Sequence, residues 1–194
     1  MDSRQTETLA VVIPGMRFGP HVPLLAYASR IATTRGLRSV PMSWRPPAEK
    51  TSAELGPWVV EQVTSALDKL SGAQGGSASL LIGKSLASHA APVAADRQLP
   101  AVWLTPLLTQ APVAAALARA TAPVLLVGGT ADTLWDGKVA RSLTEHVVEI
   151  EQADHSLWVP GPAAGSAAVL GRVADAIEQF LDQVLGLSAQ TPTD

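Results

Sequence analysis

The chain has 194 residues, 47% of them hydrophobic and 16% charged, with a net charge of −3 and no cysteine. That length supplies one sizeable core, and the slightly acidic balance without any basic stripe argues against nucleic acid as a partner. The lack of cysteine removes disulfides, thiolate metal sites and a cysteine nucleophile together.

Residues 1–8 are polar and carry no apolar signal core. No run approaches the roughly 20 apolar residues of a membrane span. A soluble, cytoplasmic chain without a membrane partner is the expectation. Leu9-Ala10-Val11-Val12-Ile13 is an unbroken apolar run, as a central parallel strand covered on both faces requires. Pro14-Gly15 stops it, and Met16 to His21 forms a loop. Pro23 opens a helix with Leu24, Leu25, Ala28 and Ile31 on one face, and Gly36 closes it. Leu37 to Trp44 reads as a second strand. An amphipathic helix follows with Leu55, Val59, Val63, Ala66, Leu67 and Leu70 at three- and four-residue steps.

Ser71 to Ser77 is a glycine-rich connector into the strand Ala78 to Ile82. An abrupt turn at Gly83-Lys84-Ser85 then leads into an alanine-rich helix running to about Arg97. Pro100 to Leu104 and Pro123 to Val127 are further strands, separated by a short helix, Pro112 to Ala120. Val147 to Ile150 is the last strand. A closing helix uses Val169, Val173, Ile177, Phe180, Leu181 and Val184, and a polar tail follows Leu187. Strands and helices thus alternate six times. That pattern predicts a three-layer α/β sandwich: a mostly parallel six-stranded sheet with helices on both faces. It forms a single domain over 9–187, between flexible tails at 1–8 and 188–194.

Sites in such sheets lie at the C-terminal strand edge, and three chemically complementary residues fall there. Ser85 sits in a strand–turn–helix context, Asp132 follows the strand ending near Val127, and His155 follows the last strand. A serine hydroxyl needs a base to become nucleophilic, an imidazole can serve as that base, and a carboxylate can fix its tautomer. Ser85, Asp132, His155 is the chain order of the α/β-hydrolase triad. Asp136, one turn later, is a rival to Asp132, whereas Asp154 adjoins the base. Leu86 N–H and one N–H of Met16 or Arg17 are the expected oxyanion donors. Phe18, His21 and Trp135 are candidates for the pocket wall, although His21 fits solvent equally well. His89, one turn after Ser85, reads as a packed helix histidine and His146 as a surface one. Trp103 suits the core at least as well as the rim. The four histidines lack the spacing of a zinc site, and no cofactor motif is present.

The chain resembles the α/β-hydrolase superfamily, in particular its small lidless bacterial members. Ile13-Pro14-Gly15, Gly83-Lys84-Ser85-Leu86-Ala87, Gly129-Thr130-Ala131-Asp132 and Ala153-Asp154-His155 carry the resemblance, which spans about Leu9 to Leu185. It implies that Ser85 is the nucleophile, Asp132 the acid and His155 the base. It also implies that the strands correspond to the third through eighth of the full sheet. Ala87 stands where the family's Gly-x-Ser-x-Gly nucleophile elbow has its second glycine, so a methyl must fit where helix meets strand. The expected activity is hydrolysis of a small-molecule carboxylic ester or thioester through an acyl-enzyme. Two other readings stand beside it: a non-hydrolytic acid/base step on the same scaffold, and a catalytically silent binding module.

Overall fold

The computed structural model describes residues 8–73 and 77–187. The C-terminal tail and residues 74–76 of the glycine-rich connector lie outside the described residues. So does the N-terminal tail, except that Thr8 belongs to the first strand. Six strands form one sheet: β1 (Thr8–Ile13), β2 (Arg38–Pro41), β3 (Ser77–Lys84), β4 (Ala101–Leu104), β5 (Val124–Gly129) and β6 (Val147–Ile150). Every pairing is parallel, in the order β2-β1-β3-β4-β5-β6. The helices are α1 (Pro23–Thr34), α2 (Ser52–Ala73), α3 (Ala91–Asp96), α4 (Ala111–Ala118), α5 (Gly137–Leu143) and α6 (Ala163–Gln179). None of those described is long and apolar enough to cross a membrane.

Strand side chains alternate between two cores because successive residues point to opposite faces. Val11, Ile13, Leu81, Trp103 and Leu126 face the layer of α2, α3, α4 and α5. Ala10, Val12, Leu80, Ile82, Val102 and Val127 face α1 and α6, meeting Leu25, Ala28, Val173 and Ile177. Both faces are covered, which is why the strands read as continuous apolar runs. Arg35, at the end of α1, clamps the second layer with a two-pronged bond to Asp182, through Nε at 2.5 Å and Nη2 at 2.8 Å. The guanidinium lowers the Asp182 pKa through that hydrogen bond.

Three boundaries differ from the sequence reading, each for a local reason. The second strand ends at Pro41, although Met42 N–H still bonds Val12 O; the chain then turns so that the Trp44 indole donates to Gly15 O at 3.1 Å. Helix α5 was not expected, being short and weakly periodic. It is started by Asp136, whose Oδ1 accepts from Lys138 N at 2.9 Å and Val139 N at 3.0 Å. The helix after the elbow begins as a 3-10 segment, Ser85–Ala90, before α3. Pro92 has no N–H and its ring crowds the carbonyl four residues back, at Ser88. In addition, Ser88 Oγ takes the Ser85 carbonyl at 2.7 Å.

The departure at Ala87 is accommodated by Gly83. A Cβ on Gly83 would lie 2.8 Å from the Ala87 methyl and 2.5 Å from Cζ3 of Trp103. The elbow glycine therefore leaves room for two neighbours at once, and the methyl of Ala87 fills the space fully, with no exposure. Gly83→Ala is expected to lower stability by about 1–3 kcal/mol through overpacking. The double variant Gly83→Ala with Ala87→Gly should recover only part of that loss, because the Trp103 clash persists. Urea denaturation of the three proteins measures both effects.

Candidate active site

The sheet order reverses at β1: the chain steps outward to β2, then returns to the other side as β3. At such a switch point the loops leaving neighbouring strands diverge to opposite faces and open a crevice. The loop after β1 carries Met16, Arg17 and Phe18, and the end of β3 carries Ser85. The two lie side by side: a Cβ on Gly15 would stand in ordinary contact with Ser85, 3.7 Å from its Cβ. β3 runs on through Lys84, and the reversal is concentrated in Ser85, whose φ is +53°. Side chains rarely adopt that conformation, so the surrounding packing must hold it.

Ser85, Asp132 and His155 meet above the sheet. Ser85 Oγ lies 2.7 Å from His155 Nε2, and His155 Nδ1 lies 2.7 Å from Asp132 Oδ2. The Asp132 side chain is 1% exposed and that of His155 31% exposed. The second carboxylate oxygen of Asp132 accepts Leu134 N–H at 2.9 Å, which fixes the carboxylate plane. The rival carboxylates are occupied elsewhere. Asp136 caps α5, and Asp154 Oδ1 accepts from Ser156 N at 2.7 Å and Trp158 N at 3.0 Å, shaping the loop that presents His155.

A cavity of about 380 Å³ opens over Ser85. Met16, Arg17, Phe18, Leu86 and His155 line it, so the expected oxyanion loop and the residue after the serine flank the hydroxyl. Two expected pocket residues are corrected. His21 is exposed on its loop and absent from the cavity wall, because the chain is already turning into α1. Trp135 is 7% exposed and packs in the core, its Nε1 donating to Glu149 Oε2 at 2.7 Å. Its ring covers Gly128, where any Cβ would collide with it. Trp103 is fully buried, whereas His146 is half-buried, edge-on to Phe180 at 5.4 Å.

The sequence reading passed over three residues here. Lys84 is 1% exposed, directly before the serine. Its Nζ donates to Thr105 Oγ1 at 3.1 Å and to the carbonyl oxygen of His155 at 3.0 Å, and lies 4.7 Å from the centre of the Phe18 ring. The three N–H bonds of the ammonium thus face three partners. Burial pushes its pKa down to about 8, against the opposing pull of Asp132 and Asp154. Thr105 holds its hydroxyl there from a backbone with φ +45°. Ser88, fully buried, donates to Ser85 O and accepts Leu107 N–H at 3.1 Å, tying the elbow to the loop after β4. The signal for Lys84 was available: a charged residue between an apolar strand and a strand-edge serine has to be paired. Among the described residues no three His, Asp or Glu side chains converge in a way that could hold a metal ion.

No family model matches the sequence, and no curated protein matches it. Solved structures do. Est1E from Butyrivibrio proteoclasticus superposes with a TM-score of 0.71 at 13% identity, covering 95% of this chain and 91% of that one. An α/β serine hydrolase homologue from Coxiella burnetii gives 0.67 at 16% identity, over 92% and 88%. An α/β serine hydrolase without a lid from Xanthomonas campestris gives 0.64 at 13% identity, over 99% and 88%. With six parallel strands in this order and helices on both faces, the chain has the minimal α/β-hydrolase fold.

Proposed function

We propose that this protein is a serine hydrolase that cleaves carboxylic esters or thioesters through an acyl-enzyme on Ser85. One observation carries the reading: a hydroxyl, an imidazole and a buried carboxylate stand in a continuous row, with both links at 2.7 Å. The structural neighbours described as esterases and serine hydrolases support it. His155 Nε2 accepts the Ser85 proton as Oγ attacks the acyl carbon, and Asp132 stabilises the imidazolium that forms. The tetrahedral oxyanion lies between Leu86 N–H at the elbow and the Met16–Arg17 backbone across the cavity. Collapse passes the proton from His155 to the leaving oxygen or sulfur. Water activated by the same imidazole then releases the acid.

Lys84 acts on this row as a positioning residue. Its bond to the His155 carbonyl tethers the loop carrying the base to the strand carrying the nucleophile, and Thr105 fixes the tether from β4. While protonated, the ammonium has no lone pair, and its N–H bonds face Thr105, the His155 carbonyl and the Phe18 ring. Its role is geometric.

Ser85→Ala is expected to keep the fold and to lower kcat/KM for p-nitrophenyl esters by roughly 10⁴ or more, with loss of fluorophosphonate labelling. Retained turnover in that variant overturns the nucleophile assignment. Lys84→Met should lower kcat by about 10- to 100-fold with little change in KM, since it removes a tether and no substrate contact. Lys84→Gln, which retains an N–H donor without the charge, should recover part of that loss.

The buried lysine also gives a pH dependence of stability. Its folded pKa of about 8 lies below the ordinary lysine value. Between these two values the unfolded chain binds the extra proton, so stability gains as pH rises. Wild type should therefore gain on Lys84→Met by about 2 kcal/mol between pH 7.5 and 9.5, read by urea denaturation at the two pH values. A gap independent of pH would contradict the buried, protonated lysine.

A further inference from the structure

A groove of about 1030 Å³ runs along α2, between that helix and the layer of α3 and α4. Pro57 and Val60 form one wall near His89, which α2 continues with polar side chains as far as Asp68 and Lys69, and Pro92, Pro112 and Val113 form the other. Two residues, His89 and Gln110, line both this groove and the cavity over Ser85, so the two spaces meet at that pair.

His89 is the unusual member of this neck. It is 9% exposed, and among the described residues its imidazole has no hydrogen-bond partner. Its nitrogens are not enclosed by protein, since the ring lines both spaces, and they are open to pairing with water or a ligand there. The chain makes room for the ring: a Cβ on Gly56 would come 3.1 Å from Nδ1. Glycine within a helix is disfavoured by about 1 kcal/mol relative to alanine, and here it admits the ring. Burial lowers the His89 pKa, which leaves a neutral imidazole with one N–H donor and one acceptor lone pair to present at the neck.

The direction of the groove identifies what it would hold. The leaving atom must come within reach of His155 Nε2, which places it beside the Asp132 and His155 loops. The groove is lined by none of those loop residues and adjoins the cavity at His89 and Gln110, on the side of Ser85 that the 3-10 segment and the loop after β4 supply. An acyl chain on Ser85 therefore points toward it. His89 stands one 3-10 stretch from the serine, about 8 Å along the axis. A saturated alkyl segment at that distance would desolvate the imidazole without pairing it.

We infer that the groove between α2 and the α3–α4 layer is the acyl subsite, taking an extended apolar acyl chain that carries a hydroxyl or carbonyl oxygen where it passes His89. The inference rests on the esterase reading above and narrows its substrate to extended, mid-chain-oxygenated acyl esters or thioesters. The leaving group is unconstrained by the groove.

The test uses p-nitrophenyl acetate, butyrate, octanoate and decanoate, and a decanoate bearing a mid-chain hydroxyl. For wild type, kcat/KM should rise about two- to fourfold per methylene once the chain reaches the groove, and the hydroxylated ester should exceed plain decanoate. Val60→Trp, which fills the groove away from the serine, should erase the gain for long esters and leave acetate unchanged. His89→Leu should abolish the preference for the hydroxylated ester while keeping the gain with length. Binding of dansyl-undecanoic acid to Ser85→Ala, followed by fluorescence and weakened by Val60→Trp, reads the subsite without chemistry. Turnover without any dependence on chain length, or dansyl-undecanoic acid binding unaffected by Val60→Trp, overturns the acyl subsite. An unchanged ester preference in His89→Leu overturns the role of His89. If Ser85 neither labels nor turns over any ester while dansyl-undecanoic acid still binds in the groove, the esterase reading fails and the subsite stands.

Discussion

The chain has to reverse direction within one residue between β3 and the helix that follows, and that residue is Ser85. Its φ of +53° is a conformation that a side chain adopts only under constraint. The constraint is supplied on three sides. Gly83 leaves space for Ala87 and Trp103, Ser88 captures the Ser85 carbonyl, and Lys84, directly before the turn, is held by Thr105 and the His155 carbonyl. Strain of this kind persists because the fold around it is dense, and it lifts the hydroxyl clear of the sheet edge toward His155. Everything assembled around the site takes its position from that reversal.

A cation beneath the turn links the parts. Lys84 is buried almost completely, yet none of its three N–H bonds lacks a partner. A buried charge is tolerated when paired and hydrogen-bonded, and here the nearby carboxylates of Asp132 and Asp154 offset part of the desolvation. The same ammonium reaches the end of β4 through Thr105, the loop after β6 through the His155 carbonyl, and the first loop through Phe18. Three segments distant in sequence are joined at one atom.

The openness of the cavity follows from what the chain leaves out. Only Thr105 to Gln110 separates β4 from α4, too short a stretch to fold over the serine. The cavity walls are the first loop, Leu55 of α2, the 3-10 segment after Ser85 and the loops that carry Leu107, Leu134 and His155. Gly56 and His89 are coupled within those walls, since the ring occupies the space that a side chain on the facing helix would claim.

The layered architecture was legible in the sequence because parallel strands buried on both faces must be continuously apolar, and because alternation with helices dictates crossovers. The elbow, its alanine and the order of serine, aspartate and histidine were equally legible, since each follows a strand and the strand edge is shared. Asp132 and Asp136 were not separable in the same way; that choice depended on which carboxylate was claimed by the N-terminus of a helix too short to give a periodic signal. Trp135 and His21 were misplaced because a side chain's direction from a loop depends on what covers the strand beside it, such as Gly128 accepting the indole ring. The pairing of Lys84 with the carbonyl of His155, and the neck formed by His89 and Gln110, join residues distant in the chain. Sequence by itself determined which residues could line one edge of the sheet. Only the tertiary packing decided which of them touch, because contact across loops is set by the volumes and hydrogen bonds of neighbours that no local pattern encodes.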